Sequence, residues 1–317
     1  MISVEESLFR RTNAGKEAGT LKRAAKRVWT ASLLLALLGG CLFPPTGAAA
    51  YPSPAFRDSA YHPDLAQHGD RAAIDTSGLS EGYVAASATS DTRLKFQVIK
   101  GEDAYTYDLP VDGTPAVFPL QSGSGTYRFR IMENVVDQKY SELYSVTADA
   151  LLQDEFQPFL RPNAYVNYGE GSACVRLAAE FAAGAATEMD FVNAVYDYIC
   201  SHVTYDKEKA TSVKSGYLPS PDETLQTGKG ICFDYASLAA AMLRSQGIPT
   251  KMIFGYVAPK DLYHAWNMFY TDETGWVTVG FEANADTWTR IDLTFAASGA
   301  DAQFIGDGTN YSDLYYY

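Results

Sequence analysis

Short segments of alternating apolar and polar residues fill the chain between residues 81 and 160. They are rich in β-branched and aromatic residues, and clusters of Gly, Asp, Pro and Ser separate them. A period of two places apolar side chains on one face of a strand, so the pattern predicts an antiparallel β-sandwich-like domain. Gly123-Ser124-Gly125 predicts a hairpin turn within it. The predicted strands are GYVAAS, RLKFQVIK, YTYDLP, AVFPLQ, TYRFRIME and LYSVTAD.

A helical period replaces this alternation after a breaker-rich junction at residues 156–162. SACVRLAAEFAAG, which ends at Gly184, and TEMDFVNAVYDYIC, which begins at Thr187, predict two helices. A polar loop with a short helical turn follows, and then a third helix that begins at Cys232 and precedes the apolar segment KMIFGYV. Helices followed by strands predict an α+β domain over residues 161–317, with its helices packed on an antiparallel sheet.

The N-terminal segment has the pattern of a secretory signal at residues 1–40. Basic residues precede an apolar run of about 12 residues, which is too short to cross a bilayer as a helix. Leu38-Gly39-Gly40-Cys41 resembles a bacterial lipobox, which predicts lipidation at Cys41; a transmembrane anchor or an ordinary signal peptide is the alternative. Residues 41–80 are rich in Pro, Ala, Ser and Gly and predict a flexible tether, in which His62 and His68 are incidental.

Charge excludes one class of partner. The chain of 317 residues has a formal net charge of -13, and the first forty residues hold seven of its 25 basic and three of its 38 acidic side chains. The remainder is therefore more acidic still and repels nucleic acid. Neither a phosphate-binding loop nor a metal-ligand spacing is present, so we infer no cofactor. Cys174 and Cys200 lie on predicted helices, either as free thiols or as a disulfide.

Cys232 is the candidate nucleophile. It lies at a predicted helix N-terminus, where unpaired N–H groups and the helix dipole favour a thiolate, although the nearby Asp234 opposes this weakly. His264, in the aromatic segment LYHAWNMFYT, is the candidate base. Asp292, between apolar residues of DTWTRIDLTF, is the candidate acid that orients the imidazole, and Glu282 and Asp286 are alternatives.

These segments resemble the bacterial transglutaminase-like domain over about residues 185–317. The resemblance rests on GKGICFDYASLAAAMLRSQGIP, YHAWNMFYTDETGWV and RIDLTF, in this order. It implies a papain-like core with the triad Cys232, His264 and Asp292, and it implies an acyl-enzyme at the cysteine. An extra hairpin, VTVGFEANADTW, separates the His strand from the Asp strand and departs from the shortest members of the family.

The reaction class has several readings. We expect an extracytoplasmic, membrane-anchored enzyme that acts on protein or peptidoglycan-peptide substrates, with hydrolysis favoured over protein cross-linking. A non-catalytic surface module that binds glycan or peptide, and a lipoprotein whose β-domain binds the partner, are the other hypotheses. The Cys232 N–H is the expected oxyanion donor, and Tyr217 and Gln226 are candidates for the second donor.

Overall fold

A computed structural model describes residues 51, 54–257, 262–284, 287–292 and 311–317. The described residues lie in one compact unit. The predicted signal segment and Cys41 lie outside the described residues. Among the helices that are described, none has the length and apolarity needed to span a membrane.

The N-terminal half is a sandwich of two antiparallel four-stranded sheets. Its strands are β1 (Gln67–His68), β2 (Ala72–Asp75), β3 (Tyr83–Ala88), β4 (Leu94–Lys100), β5 (Asp103–Leu109), β6 (Ala116–Pro119), β7 (Gly125–Val136) and β8 (Lys139–Ala150). The sheet orders are β1-β2-β3-β6 and β5-β4-β7-β8. Phe96 of one sheet stacks on Phe118 of the other with ring centroids 4.4 Å apart. The predicted sandwich is confirmed, because alternating apolar residues give each sheet one face to bury.

The prediction of a flexible tether over residues 41–80 is wrong for the part that the structure describes. Every residue of β2 is buried, and β2 pairs with both β1 and β3. Upstream, the Tyr51 hydroxyl donates a hydrogen bond to the Gln246 carbonyl at 2.7 Å. The Ala-Ala-Ile segment of β2 shows no alternation because both of its faces are covered, and such a strand cannot be told from a linker by period.

The predicted hairpin at Gly123-Ser124-Gly125 is also wrong. Strand β6 and strand β7 belong to different sheets, so the segment between them crosses the sandwich. Gly123 has φ +75, a left-handed conformation that glycine adopts without steric cost. Glycine marks the change of direction, but it carries no information about which sheet receives the next strand.

Five α-helices follow the sandwich among the residues that the structure describes. They are α1 (Ala173–Gly184), α2 (Glu188–His202), α3 (Lys207–Ser212), α4 (Pro221–Thr227) and α5 (Cys232–Ser245). The predicted start of α2 is confirmed, because Thr187 and Asp190 form a reciprocal capping box. Helix α5 is the central helix, and its residues from 234 to 245 are all buried. It is surrounded by other elements, which explains why its apolar residues extend beyond one stripe.

An antiparallel sheet of five strands completes the unit. Its members are β11 (Thr250–Val257), β12 (Leu262–Thr271), β13 (Gly275–Asn284), β14 (Thr287–Asp292) and β15 (Tyr311–Tyr316), in the order β14-β13-β12-β11-β15. Helix α5 packs against β11, β12 and β13. The α+β arrangement and the extra hairpin β13–β14 are as predicted. Two short strands, β9 (Thr204–Tyr205) and β10 (Lys229–Gly230), form a separate parallel pair beside the start of α5.

Arg244 joins the end of α5 to the rest of the unit. Its guanidinium donates to the carbonyls of Thr250, Arg161 and Tyr317 at 2.7–2.9 Å. Burial lowers the pKa of Arg244 to about 10. Three segments that are distant in sequence are therefore held at one point, which orients α5 relative to the sheet.

Candidate active site

The start of α5 is shaped by two glycines. Gly228 ends α4 in a left-handed conformation with φ +61, and this turns the chain into β10. A Cβ at Gly230 would lie 2.6 Å from the Cβ of Asp234, closer than real contacts allow. Only glycine therefore fits where the chain approaches the first turn of α5. Cys232 is the first residue of that helix, as predicted.

The Cys232 sulfur lies against the strand that carries His264. The backbone N–H of Ala265, the residue after His264, donates a hydrogen bond to this sulfur. His264 is itself buried, with 9% of its surface exposed, and its ring stacks beside that of Trp266. The structure thus brings the predicted nucleophile to the residue adjacent to the predicted base.

A side-chain hydrogen bond fixes α5 on this strand. The Asn267 amide Nδ2 donates to the Ala236 carbonyl at 3.0 Å, and both residues are fully buried. Ala236 lies one helical turn after Cys232, and Asn267 lies three residues after His264. The bond therefore connects the two elements close to the site. Sequence reasoning included Asn267 only as part of the segment YHAWNMFYTDETGWV and missed this contact.

The expected lowering of the Cys232 pKa is wrong in its net direction. Burial raises the pKa of the thiol, and it outweighs the lowering by N–H donors from Ala265 and Phe233. The negative charge of Asp234 raises the pKa further. A helix N-terminus does stabilise the thiolate, but withdrawal from water disfavours it more. The thiol therefore needs a proton acceptor before it can act as a nucleophile.

The position of the acid is described at the level of the backbone. Asp292 lies opposite Val279 on β13, and Val279 lies opposite Asn267 on β12. Strand β13 lies between Asp292 and β12, and Asp292 is level with Asn267, three residues beyond His264. The backbone positions of Asp292 and His264 are therefore separated by about 10 Å across the sheet and about 10 Å along it. If the pairing of β12 with β13 continued for three residues beyond Asn267 and Val279, Glu282 would lie opposite His264. Asp286 lies outside the described residues.

Neither candidate for the second oxyanion donor is available to donate a hydrogen bond beside the Cys232 sulfur. The Tyr217 hydroxyl donates to the Asp234 carboxylate at 2.6 Å and is therefore occupied. Gln226 is exposed on α4. Two other tyrosines, Tyr205 and Tyr263, lie close enough to Cys232 for its charge to raise their pKa values, although burial is the larger cause for both. The sequence alone did not show that Tyr205 and Tyr263 lie near Cys232.

Cys174 and Cys200 form no disulfide in the part of the chain that the structure describes. Cys174 is buried on α1 and Cys200 is partly buried on α2. Burial and the adjacent Asp222 carboxylate raise the pKa of Cys174, so that its thiol is inert as a nucleophile at neutral pH.

The segment that contains the candidate site is similar to a known family. Residues 175–281 match the model of the Transglutaminase-like superfamily, and this segment includes Cys232 and His264. Members of that superfamily are cysteine peptidases or transglutaminases. Asp292 lies beyond the matched residues.

Several known proteins are similar to parts of this chain. Protein YebA of Bacillus subtilis is 31% identical over 106 residues, which are 28% of this chain and 14% of YebA. The mouse kyphoscoliosis peptidase is 29% identical over 106 residues, which are 30% of this chain and 16% of the peptidase. The chain thus spans about one seventh of the length of these curated relatives. Red sea bream transglutaminase has 12% identity and a TM-score of 0.28, with 62% of this chain and 47% of that chain covered.

Proposed function

We propose that this chain is an extracytoplasmic, cysteine-dependent acyl-transfer enzyme that acts on peptide, isopeptide or glutamine amide bonds. One observation carries the proposal: the sulfur of Cys232, the first residue of α5, accepts a hydrogen bond from the residue that follows His264. A helix N-terminus with a cysteine, packed against a strand with a histidine, is the arrangement that nucleophilic catalysis by a thiol requires.

The proposed reaction proceeds in two stages. His264 accepts the thiol proton, and the Cys232 sulfur attacks the substrate carbonyl carbon to form a tetrahedral intermediate. The Cys232 N–H stabilises the developing oxyanion. The C–N bond then breaks, His264 donates its proton to the leaving amine, and a thioester remains on Cys232. Water, activated by His264, cleaves the thioester and releases the acid.

The acid that orients His264 is proposed to be Asp292. Its place in the order of the segments that resemble the transglutaminase-like domain supports it, whereas the backbone register, if continued beyond Asn267, favours Glu282. Separate Asp292→Asn, Glu282→Gln and Asp286→Asn variants distinguish the three. The true orienter is the one whose loss lowers the rate of acyl-enzyme formation most, with a smaller loss than His264→Ala causes. An equal rate in all three variants would contradict a triad.

Hydrolysis is favoured over cross-linking. A transferase must exclude water from the thioester, and this requires a walled site. Here residues 211–216, at the end of α3 and in the loop that follows it, are all exposed to solvent, which supports an open site. The acidic net charge favours the alternative, because it attracts cationic amines. With an acyl donor and an excess of labelled primary amine, we expect more free acid than amide; a ratio of amide to acid well above one would favour a transglutaminase.

The proposed location rests on the N-terminal sequence. We propose that Cys41 is lipidated and anchors the chain to the outer face of the cell membrane. The basic segment, the short apolar run and Leu38-Gly39-Gly40-Cys41 support this. A Cys41→Ala variant should lose palmitate labelling, and retained labelling would contradict the anchor.

Trapping of the acyl-enzyme tests the reaction. An activated peptide ester should add one acyl group to wild-type protein, and mass spectrometry should locate it on Cys232. The Cys232→Ala and His264→Ala variants should show no acylation while their circular dichroism stays native. Cys200→Ala is the matched control, because it removes a partly buried thiol on α2 and should acylate normally. Acylation that persists in Cys232→Ala would contradict Cys232 as the nucleophile, and absence of acylation in the wild-type protein would favour a non-catalytic binding module.

A further inference from the structure

A buried carboxylate lies two residues after Cys232. The Asp234 side chain has no solvent exposure, and its Oδ2 accepts a hydrogen bond from the Ile231 N–H at 2.8 Å. This bond caps the first turn of α5, which begins at Cys232. A buried anion is costly unless it is paired, so its partners matter for the whole site.

The partners of Asp234 come from the segment between α2 and α4. The Lys209 ammonium of α3 lies 2.9 Å from Oδ2, and the Tyr217 hydroxyl donates to Oδ1 at 2.6 Å. Lys209 also donates to the Tyr217 hydroxyl at 2.5 Å, and it lies 4.4 Å from the centroid of that ring. The three side chains form a closed cluster with one negative and one positive charge.

The charge of Asp234 acts directly on the proposed nucleophile. The Asp234 carboxylate and the Cys232 thiolate are both negatively charged, so Asp234 disfavours formation of the thiolate. The Lys209 ammonium is the positive charge that pairs with this carboxylate. Among the described residues, other titratable groups near the cysteine or the cluster include Tyr205 from β9, Tyr263 and His264 from β12, and Asp206 at the start of α3. Glu208, Glu223 and Lys229 line the same surface pocket as Lys209.

We propose that Lys209 and Tyr217 are positioning residues that hold Asp234 as the cap of α5 and cancel its charge, and that they thereby set the reactivity of Cys232. The inference deepens the proposed function, because it names two residues outside the Cys-His pair on which that pair depends. It differs from a purely structural role, in which the cluster would only hold the loop on the helix.

Alkylation of Cys232 by iodoacetamide as a function of pH tests the proposal, with the modified peptide identified by mass spectrometry. Lys209→Met leaves the carboxylate uncompensated, so we expect about tenfold slower alkylation at pH 7, the effect of about one pKa unit. Asp234→Asn retains a capping side chain but removes the charge, and it should alkylate about three- to tenfold faster than wild type. Lys209→Arg should stay within about twofold of wild type.

The double variant Lys209→Met/Asp234→Asn separates the two accounts. It contains neither charge, so its alkylation rate and pH profile should return close to those of wild type. A structural role predicts that the double variant is at least as slow as Lys209→Met and that Asp234→Asn is slower than wild type; either result overturns the proposal. Alkylation needs no substrate, so a failure here is distinguishable from a failure of the acyl-transfer reaction.

Discussion

The hydrogen bond between Asn267 and Ala236 provides a sharp test of how the site is assembled. Asn267→Leu, which has a similar volume, loses the bond from Nδ2 to the Ala236 carbonyl, at a cost of about 0.5–1.5 kcal/mol. The Oδ1 atom of Asn267 is buried and has no hydrogen-bond partner among the described residues. Its removal recovers about 1–3 kcal/mol. The free energy of unfolding should therefore change by an amount between a loss of about 0.5 kcal/mol and a gain of about 2.5 kcal/mol.

The effect on catalysis should be larger than the effect on stability. Without the bond, α5 is free to shift along β12, and a displacement of about 1 Å in an active site costs about 100-fold in rate. We expect at least about tenfold slower acylation of Cys232, measured beside urea unfolding.

Ser237→Ala is the matched control for this test. Ser237 lies on the same helix, but its hydroxyl donates to the Tyr165 carbonyl at 2.7 Å, away from β12. It should lose about 1 kcal/mol of stability and keep its acylation rate within about twofold of wild type. An Asn267→Leu variant that loses more than about 3 kcal/mol and acylates normally would refute the reasoning.

Three further outcomes are expected. Thr187→Ala removes the capping box of α2 and should cost about 1 kcal/mol in urea unfolding, and an unchanged midpoint would contradict the cap. Gly255→Ala places a Cβ 2.1 Å from the Ser312 carbonyl oxygen, so it should destabilise the fold by at least about 1–3 kcal/mol and lower Tm accordingly. An unchanged Tm would show that β15 is not packed there. In a His264→Ala variant, burial should move the alkylation midpoint of Cys232 above the ordinary thiol value of about 8.5, and a lower midpoint would show that the N–H donors dominate.

Local patterns in the sequence predicted most elements of the fold. All six predicted strands of the sandwich form, because their alternation matches a sheet with one buried face. The start of α2 at Thr187 and the start of α5 at Cys232 depend on capping chemistry within a few residues, which is legible without the fold. The prediction that the Cys and His segments meet rested on their resemblance to the transglutaminase-like domain, because spacing and helix position alone were only moderate evidence.

Only the tertiary structure showed what surrounds these elements. Strand β2 was mistaken for a tether because its burial depends on β1 and β3, not on its own period. The pKa of Cys232 rises because α5 is packed among other elements, and helix position alone predicts the opposite direction. Lys209 and Asp234 are 25 residues apart in the sequence and form an ion pair at 2.9 Å. Burial and pairing depend on contacts between distant segments, so the sequence determined the reactive groups and the folded structure decided their electrostatic environment.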